Sequence, residues 1–96
     1  MDNKINSVTI FDRITAADTV QDLAPESGHR QGLTIFNAST NNLFCKIDGD
    51  ASTDNYSFKL LPGAYYEMPL EYYTDKVTGI WDGTNGYAMV TQIKRT

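Results

Sequence analysis

The sequence predicts an all-β fold, a compact antiparallel β-sandwich carrying an N-terminal arm, and two observations predict it. From Gly32 onward, short apolar runs recur at roughly ten-residue spacing and are split by clusters of turn-forming residues. Within those runs apolar and polar side chains alternate with a period of two, and no helical period appears. Two sheets that bury facing apolar sets about 10 Å apart satisfy both observations. Periodicity does not choose between a jelly-roll and an immunoglobulin-like strand order.

Residues 1–31 read as the arm. Val8, Ile10 and Phe11 mark at most one strand. A short helical turn is expected over residues 15–23, capped by Thr15 and placing Ala16, Ala17, Val20 and Leu23 on one side. Pro25, Ser27 and Gly28 end it. Residues 32–96 form the sandwich. In GLTIFN, Leu33 and Ile35 oppose Thr34 and Phe36; in LFCKID, Leu43, Cys45 and Ile47 oppose Phe44 and Lys46. The loop DGDASTDN precedes YSFKLL, where Tyr56, Phe58 and Leu60 share a face. Pro62-Gly63 carries the residues of a type II turn. AYYEMPL sends Tyr66, Met68 and Leu70 inward and Tyr65 and Glu67 outward, and Pro69 makes it an edge strand or ends it. KVTGIWD is the next strand. In YAMVTQI, Tyr87, Met89, Thr91 and Ile93 face one way and Ala88 and Val90 the other.

Composition bounds the function. Ninety-six residues, 41% hydrophobic and 21% charged, make one small globular domain. A net charge of −4 offers no basic footprint for nucleic acid or for an anionic membrane. The single cysteine, Cys45, cannot form an internal disulfide, which fits a reducing cytoplasm. The N-terminal residues lack the apolar core of a signal peptide, and no apolar run reaches transmembrane length.

No catalytic set emerges. Cys45 sits mid-strand between apolar neighbours, where a thiol is buried and inert. The one histidine, His29, lies in the polar segment ESGHRQ, away from any pattern that would pair it with Cys45. Glu67 and Glu71 occupy polar positions of an alternating stretch, where glutamate simply meets water. Asp48, Asp50 and Asp54 share one loop but lack the spacing of a calcium-binding loop, and a lone Cys and His cannot hold zinc. No phosphate-cradling glycine motif is present. The chain is therefore expected to be non-enzymatic, with no catalytic residue, metal or cofactor. Two Tyr-Tyr pairs stand out in a chain that is 11% aromatic. Strand alternation turns one ring of each pair outward: Tyr65, and either Tyr72 or Tyr73. With Trp81 these make a candidate exposed aromatic interface.

The runs RxGLTIFN (Arg30 to Asn37), LxPGAYYExP (Leu60 to Pro69), VTGIWD (Val77 to Asp82) and GYAMVTQ (Gly86 to Gln92) resemble small β-rich proteins of tailed bacteriophages. Such proteins lie among the structural genes, and related modules decorate heads or attach to necks and fibres. The resemblance implies a virion structural protein, such as a capsid decoration or cement protein, assembled in the bacterial cytoplasm. Its expected partners are other capsid or neck proteins and copies of itself, with a trimer favoured. An arm that crosses to a neighbouring subunit would bury Val8, Ile10, Val20 and Leu23. Deleting residues 1–23 is then expected to abolish particle binding and to leave the sandwich folded. The alternative is a carbohydrate-recognition module on a fibre or tail, with a glycan stacked on the outward tyrosines.

Overall fold

The computed structural model describes residues 7–68 and 74–95, which form eight strands: β1 (Ser7–Thr15), β2 (Gln21–Ala24), β3 (Arg30–Ser39), β4 (Leu43–Ile47), β5 (Phe58–Leu60), β6 (Tyr65–Glu67), β7 (Val77–Trp81) and β8 (Gly86–Arg95). Sheet 1 has the order β1-β8-β3-β6, and sheet 2 the order β2-β7-β4-β5; every pairing is antiparallel. Strand 1 pairs with 8, 2 with 7, 3 with 6 and 4 with 5. That is one long hairpin rolled over on itself, the jelly-roll order.

The six strands expected after residue 31 are all present. The segment before it differs from expectation. Residues 15–23 carry no helical turn, and two strands replace the single one, β1 in sheet 1 and β2 in sheet 2. The reason lies in the wetting of β1. Val8, Ile10, Asp12 and Ile14 face inward, but only Ile14 packs on the core, while Val8 and Asp12 stay exposed. A strand wet on both faces shows no clean alternation of apolar and polar residues.

The core between the sheets is built from Leu23, Ala24, Leu33, Ile35, Leu43, Cys45, Leu60, Met68, Val77, Trp81, Ala88 and Val90. Gly79 permits a close approach here: a Cβ there would lie 2.7 Å from Leu23 Cδ1 and 2.9 Å from Leu43 Cδ1. The expected type II turn is formed, with Gly63 at φ 81° and the Ala64 N–H donating to the Leu61 carbonyl at 2.9 Å.

Two buried polar side chains brace this core. The Asn37 amide donates to the carbonyls of Asn41 and Leu60, both at 2.8 Å, and its Oδ1 accepts from Ser39 Oγ (2.7 Å) and Trp81 Nε1 (3.3 Å). Arg30 is wholly buried at a bulge of β3, donating to Gln92 Oε1 (3.1 Å), the Asp75 carbonyl (2.9 Å) and the Pro25 carbonyl. Both satisfy groups that would be costly to bury unpaired.

Candidate functional site

Sheet 1 has a face turned away from sheet 2, and the described residues of sheet 2 do not cover it. The alternation that sends Leu33, Ile35, Ala88 and Val90 into the core sends Thr34, Phe36, Met89 and Ile93 out. Register then assembles this face row by row. Tyr65, Phe36, Met89 and Arg13 lie side by side across β6, β3, β8 and β1. Glu67, Thr34, Thr91 and Phe11 form the next row, and Gly32, Ile93 and Thr9 the one after. On the other side, Ala38, Tyr87 and Thr15 align.

The middle strands carry Phe36, Met89 and Ile93 around the Thr34–Thr91 pair, and the face remains open to solvent. Phe11 is 48% exposed, Phe36 37%, Ile93 43% and Tyr65 58%. Scattered exposed apolar residues need no explanation, but a contiguous set on one sheet face is a candidate contact surface. Charges stand only at its margins. Arg13 lies 4.5 Å above the centre of the Tyr87 ring on the β1 side, and Arg95 pairs with Ser7 at the far end. Glu67 sits on the β6 side and accepts a bond from the Tyr65 hydroxyl at 3.4 Å. Arg13 is thereby placed over an aromatic ring, a cation–π contact that uses none of its N–H donors.

Of the residues singled out from the sequence, Tyr65 is on this face. Tyr72 and Tyr73 lie outside the described residues, as does Glu71. Trp81 is not an interface residue: it is fully buried, because its ring fills the core and its Nε1 donates to Asn37. Leu23 is likewise taken up by the chain's own core, packed over Gly79. Val8 and Val20 are exposed and Ile10 is half-buried, so the four arm residues do not make one surface. With β1 paired along β8 and Leu23 inside, deletion of residues 1–23 removes a sheet strand and a core residue; it cannot leave the sandwich intact.

The remaining candidates are structural. Cys45 is fully buried, and burial pushes its thiol from 9.0 up to about 12, the reverse of what a nucleophile needs. His29 is exposed and lines a cavity of about 200 Å³ with Gly28, Arg30, Gln31 and Arg95; no carboxylate or nucleophile joins it there. Among the described residues no three His, Cys, Asp or Glu side chains are grouped to hold a metal. Asp50 instead pairs with Lys76 at 3.4 Å, and Asp54 accepts from Ser52 Oγ at 2.7 Å.

The aromatic and aliphatic members of the face, Phe11, Phe36, Met89 and Ile93, are the residues that sequence reasoning missed. The signal was present. YAMVTQI divides into a bulky set and a small set without showing which is inward, and the structure buries Ala88 and Val90 and turns Tyr87, Met89 and Ile93 outward.

No protein-family model matches the sequence, and no curated protein matches it. Solved structures do resemble it. Protein NMB1881 from Neisseria meningitidis aligns at 10% identity with a TM-score of 0.44, over 99% of this chain and 79% of that one. The SPBc2 prophage-derived protein YomS aligns at 17% identity with a TM-score of 0.52, over 98% of this chain and 100% of that one. What this chain shares with YomS, from end to end, is a fold.

Proposed function

We propose that the chain is a non-enzymatic structural protein of a bacteriophage particle, a homo-oligomeric subunit that decorates or cements the capsid. It meets its neighbours through the outer face of sheet 1, where Phe11, Phe36 and Ile93 stand exposed. The observation that carries this reading is the uncovered apolar face, with Phe11, Phe36, Met89 and Ile93 contiguous on a rigid sheet. Such a surface suits protein contact and offers no cleft for chemistry. The fold shared with the prophage-derived YomS supports the phage setting.

The test is co-sedimentation of the purified chain with empty capsids of the phage that encodes it. Binding by the wild type, lost in Phe36→Asp, supports the proposal. Equal binding by both, or none by either, overturns it.

The exposure of Tyr65 at the β6 edge favours a second reading, stacking of a sugar ring on that tyrosine. Binding on a glycan array that disappears in Tyr65→Ala, with stability unchanged, would establish it.

A further inference from the structure

Resting on the reading of this face as a protein contact, we infer that its occupant is a second copy of the chain, packed face to face about a two-fold axis parallel to the strands. Rotation about that axis lays β1 of one copy over β6 of the other. Arg13 then comes over the row that holds Tyr65 of the second copy, one residue pair, about 7 Å, from its Glu67. Phe36 meets Met89 of the second copy, and Phe11 meets the row of Glu67 and Thr34.

Charge makes the face self-complementary. It carries a cation at the β1 margin and an anion at the β6 margin, and the rotation brings these two margins together twice, with Arg13 and Glu67 in adjacent rows. An axis perpendicular to the strands would instead set Arg13 over the β1 edge of the second copy, with no carboxylate of this face near it. The size is also sufficient. Four strands at about 4.8 Å spacing, each residue rising about 3.4 Å, give a face on the order of 500 Å² on each copy. The pair buries on the order of 1,000 Å², the lower limit for a specific contact.

Edge pairing through β1 is the competing way for two copies to meet, and Asp12 opposes it. That carboxylate lies on the same side as Ile14, pointing inward on an edge strand, a placement that discourages addition of another strand. A two-fold contact between identical faces closes as a dimer, so this arrangement differs from the trimer the sequence suggested.

Light scattering over a micromolar-to-millimolar series reads the outcome directly. The expected mass rises from 10.7 kDa to twice that value. Arg13→Glu should raise the dissociation constant about tenfold, and adding Glu67→Arg in the same chain should return it to within roughly threefold. Phe36→Asp should leave a monomer, with the fluorescence of buried Trp81 confirming that it is folded. The charge swap keeps the test decisive if Phe36→Asp unfolds. A 10.7 kDa mass at every concentration, a trimer mass, or a dimer indifferent to the charge swap overturns the inference. A monomer that still binds capsids through Phe36 overturns the dimer alone and leaves the proposed function standing.

Discussion

Ile35 and Phe36 are neighbours on β3 that point to opposite sides of sheet 1, and truncating each to alanine measures how different those sides are. Ile35 is fully buried in the core. Ile35→Ala removes three carbons, worth about 0.8 kcal/mol each in transfer, and leaves a cavity that raises the loss to roughly 3–4 kcal/mol. Phe36 touches no core residue across the sheet; its cross-strand neighbours are Met89 and Tyr65. Two such pairs contribute about 0.2–1 kcal/mol each, so Phe36→Ala should cost roughly 0.5–2 kcal/mol. A chain of 96 residues has a total stability of about 5–14 kcal/mol. Urea unfolding followed by Trp81 fluorescence resolves the difference, since the slope for a small domain is about 1–3 kcal/mol per M. The Ile35 variant should lose at least about 1 kcal/mol more stability than the Phe36 variant, while only the Phe36 variant loses partner binding. Equal destabilisation, or a binding defect in Ile35→Ala alone, would refute the assignment of faces.

Three further outcomes are expected. Asn37→Leu takes the side-chain partner from the Trp81 indole N–H and the Leu60 carbonyl, while the Ser39 hydroxyl and the Asn41 carbonyl keep each other, and urea unfolding should show a loss of roughly 2 kcal/mol or more. Cys45 should react with a thiol reagent only after unfolding. Its folded pKa is raised above the unfolded one, so its contribution to stability is whole below about pH 8.5 and is lost as pH rises toward 12; the alkaline decline of the urea midpoint should be shallower in Cys45→Ala. Deletion of residues 1–23 should abolish the cooperative transition altogether, because β8 loses its β1 partner and the core loses Leu23.

The sandwich was legible from Gly32 onward because β3 and β8 have one dry face and one wet face, and the period of two reports that contrast. The type II turn at Pro62-Gly63 was legible for a local reason, the positive φ that Gly63 supplies. The strand order was not legible, since pairing of β1 with β8 is a long-range choice that leaves no local trace. The helical turn expected at residues 15–23 failed because Ala16 and Leu23 do face inward but are carried there by a bend between two strands, where Val20 stays outside. The candidate face was half legible. Tyr65 could be placed outward from its neighbours, yet the inward side of β8 could not be chosen until register tied Ala88 to Asn37 and Val90 to Ile35.

That register also bears on how the proposed subunit would hold its neighbours. An arm that clasps another copy must leave its own sandwich, and the segment once assigned that task is committed at both ends. Ser7 to Thr15 pair residue for residue with β8, and Leu23 closes over Gly79 inside the core. Crossing to a neighbour would break nine backbone pairings and empty a core position, so exchange would need a neighbour that restores both. Side chains on a preformed face require neither. Contact through Phe11, Phe36, Met89 and Ile93 removes apolar surface from water without disturbing a ladder, and the rigid sheet keeps the ordering entropy of association small. For residues 7–24, rigid docking of a finished sandwich is thus the mode of assembly that the backbone pairing favours over an exchanged arm.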